Sequence, residues 1–96
     1  MSVPMEGMED LFEAVLRLET IEDCRKFFED ICTVKELQDM SQRLEVARLL
    51  KEGKNYQEII KAVGASAATI SRVNKCLVYG AGGYEKVLSD GKKENE

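Results

Sequence analysis

Apolar residues recur along this chain at steps of three and four, the spacing that places side chains on one face of an α-helix. Five segments show it, with apolar positions at Met8, Leu11, Phe12, Val15 and Leu18; Ile21, Cys24, Phe27, Phe28 and Ile31; Leu37, Met40, Leu44, Ala47 and Leu50; Ile59, Ile60 and Val63; and Ile70, Val73 and Leu77. A sixth, short helix is predicted from Tyr84 to about Leu88. No segment alternates with period two, so the pattern predicts an all-α protein without a sheet.

Residues suited to helix ends punctuate these segments. Side chains that can cap a helix start precede four of them, at Thr20, Thr33, Asn55 and Ser66. Glycines that can end a helix follow three of them, at Gly53, Gly64 and Gly80. We expect one helical domain over residues 8–89, a flexible N-terminus over 1–7 and a disordered tail over 90–96.

The first two helices carry more apolar surface than one stripe. The apolar residues of the first helix cover more than one narrow stripe: Leu11, Phe12, Val15, Leu16 and Leu18. In the second helix Phe27 and Phe28 are adjacent and so point in different directions. A chain of 96 residues buries only about 60% of its unfolded surface, so it has little core with which to cover two faces. This favours a homodimer packed through its N-terminal helices. The alternative is a compact monomer with a few exposed apolar residues.

Charge is distributed unevenly along the chain, whose net charge is −4. Residues 1–40 hold 11 acids and 4 bases, net −7; residues 41–80 hold 3 acids and 7 bases, net +4; and residues 81–96 hold 4 acids and 3 bases, net −1. Local potential, rather than the total, attracts a polyanion. The basic middle is therefore compatible with nucleic acid, although solvated helix faces of random sign would give a similar count.

Several function classes lack their residues. No apolar run approaches the roughly 20 residues that span a bilayer, so we expect no membrane contact and a cytoplasmic location. The chain has no histidine, and its three cysteines lack C-x-x-C spacing, so we expect no metal, no cofactor and buried reduced thiols. The sequence has neither a carboxylate pair beside a nucleophile nor a phosphate-binding glycine loop, so we do not expect an enzyme.

Residues 56–79 have the order of a helix-turn-helix, in which a short helix and a glycine-containing bend lead to a capped second helix. In that motif the second helix enters the DNA major groove with its first residues at the base edges. Small residues at Ala67 and Ala68 would allow close approach, and Thr69 and Ser71 supply hydroxyls. Bases that could neutralise phosphates stand on both helices and just before them, at Lys54, Lys61, Arg72 and Lys75.

Two stretches, SQRLEVARLLKEGK and YQEIIKAVGASAATISRVNKCL, resemble the Trp repressor superfamily, and most closely its Trp-repressor-like YerC/YecD branch of small bacterial proteins. The resemblance implies six helices in an intertwined homodimer. It places Gln57 and Lys61 where the first helix of the helix-turn-helix meets DNA. It places Ala67, Ala68, Thr69 and Ser71 where the recognition helix meets DNA. We include the cap residue Ser66 among the predicted DNA-binding residues.

The resemblance also implies a candidate effector pocket formed by Gln42, Arg43, Arg72 and Val73. Arg72 matches one of the two arginines that enclose the corepressor in the tryptophan-binding repressor. Val73 stands where that repressor has a glycine, and the second arginine falls on Gln42, with Arg43 one residue away. We therefore predict that free tryptophan is not the corepressor of this protein.

These patterns predict a sequence-specific regulator of transcription, a repressor, that binds double-stranded DNA as a homodimer. The alternative is a helical protein-interaction module or adaptor whose helix-turn-helix binds a protein partner. DNA binding would weaken linearly with salt on logarithmic axes, whereas an adaptor would not show that dependence.

Overall fold

A computed structural model describes residues 6–89 and contains six α-helices and no strand in that range. The helices are α1 (Glu9–Leu16), α2 (Ile21–Ile31), α3 (Val34–Lys51), α4 (Tyr56–Val63), α5 (Ala67–Tyr79) and α6 (Gly83–Leu88). The all-α, six-helix prediction is confirmed. Residues 1–5 and 90–96, which make up most of the predicted N-terminal segment and all of the predicted tail, lie outside the described residues.

Side-chain caps fix where four of these helices begin. The Thr20 hydroxyl accepts from the backbone N–H of Asp23 at 2.9 Å, and the Asp23 carboxylate accepts from the N–H of Glu19. Thr33 and Glu36 form a reciprocal pair, as do Asn55 and Glu58. The Ser66 hydroxyl accepts from the N–H of Thr69. Each cap satisfies N–H groups that the first turn of a helix leaves without a partner.

The chain divides into two compact units, and the first, Met1–Gln38, contains α1, α2 and the start of α3. None of its described residues is buried. Leu16 is 82% exposed and Ile21 is 88% exposed, while Phe27 and Phe28 are half-buried and make an edge-to-face contact with ring centroids 5.3 Å apart. The described part of this unit thus has apolar surface on both of its complete helices and no core of its own.

The second unit, Asp39–Glu96, contains the hydrophobic core. Its buried residues come from α3, α4, α5 and the turn before α5: Val46, Ala47, Leu49, Ile59, Ala65, Ile70 and Val73. Leu50, Ile60, Val63, Leu77, Tyr84 and Leu88 pack against them. Burial on α4 and α5 follows the predicted stripe closely. On α3 it does not, because Val46 and Leu49 are buried while Met40 and Leu44 remain 39% and 43% exposed.

Helix α6 is held to the second unit by apolar and charged contacts. Tyr84 and Leu88 pack against the core, and the Lys51 ammonium donates to the Glu85 carboxylate at 2.8 Å.

No described helix is both long and apolar enough to cross a membrane. Cys24, Cys32 and Cys76 form no disulfide, and the expectation that all three are buried is wrong, because Cys24 and Cys76 are exposed on their helices.

Candidate nucleic-acid interface

Helices α4 and α5 are joined by three residues, the order predicted for a helix-turn-helix. Gly64 ends α4 with φ +81°, and its N–H donates to the Ile60 carbonyl at 2.9 Å. This left-handed conformation turns the chain within one residue. Glycine adopts it without the clash that a Cβ would cause. Ser66 then begins α5, and Ile59 and Ile70 are fully buried in the shared core. The turn is therefore fixed by backbone geometry and packing together.

Helix α5 has one buried and one exposed face. Ile70 and Val73 are buried and Leu77 is half-buried. The exposed face carries the polar and small residues that the sequence singled out: Ala67, Ala68, Ser71, Arg72 and Lys75. Residues seven apart lie on the same side of a helix after two turns, so Ala68 and Lys75 share this face. The core thus holds α5 so that its predicted reading residues face solvent.

The start of α5 is both small and rich in donors. Ser66 accepts from the Thr69 N–H at 3.1 Å and donates its hydroxyl hydrogen to the Thr69 hydroxyl oxygen at 3.1 Å. Thr69 keeps its own hydroxyl hydrogen for another acceptor. The N–H groups of Ala67 and Ala68 belong to the first turn, where a helix offers no carbonyl to them. A phosphate or a base edge could approach these donors with little obstruction.

The bases on this side of the molecule are not neutralised internally. Residues 54–79 contain four bases and one acid, a net charge of +3. The acid, Glu58, accepts a hydrogen bond from the Asn55 N–H as part of the α4 cap. Among residues 6–89, no carboxylate forms an ion pair with any of the four bases, Lys54, Lys61, Arg72 and Lys75. Their charge is available to an external anion.

Arginines elsewhere have the opposite environment. Arg25 lies between Glu22 and Glu29, and Arg48 lies between Glu45 and Glu52. Hydrogen bonding to Glu22 is the main cause that raises the pKa of Arg25, and bonding to Glu45 does the same for Arg48. In return, the Arg48 guanidinium lowers the pKa of Glu45. These two arginines stabilise their own helices and are poor candidates for binding an anion.

The structure brings the ten predicted DNA-binding residues into the second unit. Nine are exposed and Thr69 is half-buried. They are Lys54, before α4; Gln57 and Lys61, one turn apart on α4; and Ser66, Ala67, Ala68, Thr69, Ser71, Arg72 and Lys75, at the cap and along α5. Tyr79, which is 80% exposed, lies four residues beyond Lys75 on the same side of α5 and was not among the predicted residues. Helical spacing from Lys75 is enough to place it there from the sequence.

Three of the four predicted effector residues line one cavity. The cavity, of about 190 Å³, lies between α3 and α5 and is lined by Asp39, Gln42, Arg43, Thr69 and Arg72. Val73 is not among the lining residues, because its side chain is 1% exposed in the core. Asp39 and Thr69 were not assigned to this pocket, although each stands one helical turn before a predicted member. Among the described residues, no group of three or more potential ligands could hold a metal ion.

Comparison with known proteins identifies the family. A sequence model described as Trp repressor protein matches residues 6–92. This chain belongs to the Trp repressor family. Uncharacterized protein YerC of Bacillus subtilis is 51% identical to it over 89 residues, which cover 93% of this chain and 85% of YerC. The match confirms the resemblance to the YerC branch of the Trp repressor family.

Solved structures of Trp repressor relatives have the same fold. A TrpR-like protein from Eubacterium eligens superposes with a TM-score of 0.82 at 48% identity, over 85% of this chain and 84% of that one. A protein from Staphylococcus aureus, described as a candidate Trp repressor, superposes with a TM-score of 0.86 at 42% identity, over 99% and 100% of the two chains. The Trp repressor family comprises DNA-binding regulators rather than enzymes.

Proposed function

We infer that this protein is a transcriptional repressor that binds operator DNA as a homodimer through α4 and α5. The observation that carries the proposal is the exposed face of these helices in a family of DNA-binding regulators. There, four bases without acidic partners among residues 6–89 surround a helix start made of small residues. Such a function requires the bacterial cytoplasm, where the chromosome lies.

The proposed roles differ between residue types. Lys54, Lys61 and Lys75 neutralise phosphates and so set affinity, whereas groups at the start of α5 approach base edges and set specificity. Ala67 and Ala68 can contact the methyl group of thymine, and Ser71 can reach a base edge or a phosphate. Gln57 lies one turn before Lys61 on α4 and can contact the backbone beside it.

A dimer follows from the requirements of both halves of the chain. The described part of the first unit has no buried residue, so its apolar side chains are exposed in a single chain. If α1 and α2 of two copies pack against each other, each copy covers the apolar surface of the other. Two recognition helices about 34 Å apart would also enter successive major grooves of one duplex face. The proposed operator is accordingly a palindrome.

Tryptophan is not the proposed corepressor. Val73 occupies the core, where the tryptophan-binding repressor has a glycine beside its ligand. The nearby cavity is lined by Gln42, which falls where that repressor has its second arginine. Both observations support a regulator whose effector, where one is used, has a different chemistry.

Selection of bound sequences from a random duplex pool at fixed salt tests the proposed function. We expect one palindromic sequence to be enriched, and Lys61→Ala and Lys75→Ala to weaken binding to every sequence alike. Each substitution should also reduce the slope of log affinity against log salt by about one per lost phosphate contact.

Lys26→Ala is the matched control, because Lys26 is an exposed lysine of α2, outside the proposed DNA interface of α4 and α5. It should bind the selected duplex with the affinity and salt slope of the unaltered protein. Failure to enrich any sequence would contradict the proposal, as would binding that does not respond to salt. Recovery of a protein partner through the Lys61 and Lys75 face, with no DNA binding, would establish the adaptor alternative.

A further inference from the structure

Helices α4 and α5 together contain one arginine, Arg72, which is the sixth residue of α5. In zinc fingers, whose helix also enters the major groove, position six counted from the helix start contacts a base. Arg72 is exposed to solvent and also lines the cavity between α3 and α5. Its guanidinium is therefore at the surface, on the helix that the proposed function brings to the base edges.

Helix geometry directs the Arg72 side chain toward the start of α5. Side chains on an α-helix lean toward its N-terminus, over the turn that precedes them. One turn before Arg72 stands Ala68, which is exposed and has a single methyl group. A bulky side chain at that position would cover the path toward the first turn, whereas alanine leaves it open.

No carboxylate of residues 6–89 forms an ion pair with Arg72, whereas Arg25 and Arg48 are each held between two glutamates. A guanidinium presents its N–H donors in a planar arrangement that bonds two acceptors at once. Guanine has two acceptors on its major-groove edge, N7 and O6, and bidentate bonding to them is the commonest specific contact. Arg72 thus has the donors that guanine requires.

The other polar groups along α5 are less suited to guanine. Between Ser66 and Ser71 every polar side chain is a hydroxyl, which donates only one hydrogen. Ser66 already gives its hydrogen to the Thr69 hydroxyl. Lys75, the other base of α5, stands three residues beyond Arg72 and so lies roughly 4.5 Å further from the helix start. Arg72 is therefore the residue of α5 best placed to contact a guanine base.

We propose that Arg72 determines the specificity of DNA binding by donating hydrogen bonds to N7 and O6 of one guanine in each half of the operator. This contact rests on the proposed function and adds a guanine to the bases that the first turn of α5 approaches. Lys61 and Lys75 supply affinity without selecting a base, because phosphate contacts carry no sequence information directly. The operator is accordingly a palindrome with a guanine at equivalent positions of its two halves.

Two measurements on the duplex selected from a random pool test this contact. The first replaces each guanine of the half-site in turn, in both halves, with 7-deazaguanine, which keeps the base pair and O6 but lacks the N7 acceptor. We expect one position at which this change weakens binding about tenfold or more, and at which it costs Arg72→Gln nothing further. The second repeats the selection with Arg72→Gln. We expect adenine in place of guanine at that position, because a glutamine amide bonds N7 and N6 of adenine.

Lys75→Gln and Arg43→Gln are the matched controls. Lys75→Gln removes a charge from the same helix and should weaken binding to every sequence alike, with guanine still preferred. Arg43 lines the same cavity as Arg72, so Arg43→Gln separates contact with the base from an effect that passes through the cavity. It should leave the guanine preference and the response to 7-deazaguanine unchanged. Thermal unfolding of Arg72→Gln should match that of the unaltered protein, since Arg72 is exposed and glutamine is a comparable helix former.

Three results would overturn the contact and leave the proposed function standing. The first is an enriched palindrome without guanine. The second is binding that does not respond to 7-deazaguanine at any position. The third is a uniform loss of affinity in Arg72→Gln with guanine still preferred, which would make Arg72 a phosphate contact. Enrichment of no sequence at all would reject the proposed function, and the contact with it.

Discussion

Gly64 shows how much of the interface depends on a single backbone conformation. Its φ of +81° turns the chain from α4 into α5, and nothing lies within 4 Å of the position where a Cβ would stand. Space is therefore not what requires glycine there. The requirement comes from the left-handed conformation, which costs a residue with a Cβ roughly 1–2 kcal/mol.

Gly64→Ala should therefore lower the free energy of unfolding by roughly 1–2 kcal/mol, measured by urea denaturation. Gly83→Ala is the control, since Gly83 begins α6 with no left-handed φ and with open space around its Cβ position. It should be neutral or slightly stabilising, because alanine is the better helix former. Equal losses at both positions would show that the conformation at Gly64 is not the cause.

Val73 was assigned two roles from the sequence, as a core residue of α5 and as part of an effector pocket. Its side chain lies in the core with Ile70, away from the residues that line the cavity. Spacing along α5 was sufficient to predict the first role. The second came from alignment, which gives a position along the chain but not the direction of a side chain.

Helix α3 serves the core and the solvent at the same time. Val46 and Leu49 are buried, and Met40 and Leu44 are among its exposed apolar residues. On the polar side Arg48 joins Glu45, three residues before it, to Glu52, four residues after it. Pairs at these spacings stabilise exposed helices modestly and lose strength in salt.

Arg48→Gln should lower the melting temperature by roughly 1–4 °C at pH 7. The guanidinium lowers the pKa of Glu45 in the folded protein, so its contribution is present above the ordinary value of 4.5. It is lost as the pH falls through the lowered pKa. The difference in melting temperature between the two proteins should therefore shrink across acidic pH, measured by thermal unfolding.

Arg17→Gln is the comparison for this pH series. Arg17 follows α1 and forms no ion pair with a carboxylate of residues 6–89. Any effect of its removal should stay constant across the same pH range. A loss at Arg48 that is equally constant would contradict a role for its carboxylate partners.

For the whole molecule, the distribution of burial is the main result. All of the buried described residues belong to Asp39–Glu96, and the described part of Met1–Gln38 exposes apolar side chains on both of its complete helices. A chain that exposed this much apolar surface alone would be prone to association. The proposed dimer gives that surface a partner.

Sedimentation should accordingly give a mass of about twice the 10.8 kDa of one chain. Leu16→Glu and Ile21→Glu should shift the protein toward monomer, because each places a charge on apolar surface that the dimer would bury. Lys26→Glu changes charge on the polar side of α2 and should remain dimeric. A monomeric native protein, or dimers unaffected by both apolar substitutions, would contradict the proposed assembly.

The sequence by itself determined the helices, their caps, the helix-turn-helix order of α4 and α5, and the family. These features depend on residues within four positions of one another or on motifs read in order, so no distant contact is needed to specify them. Tertiary structure decided which side of α3 is buried and which residues share the cavity between α3 and α5. Arg43 and Arg72 are 29 positions apart, and only the packing of helices against a common core brings such residues together.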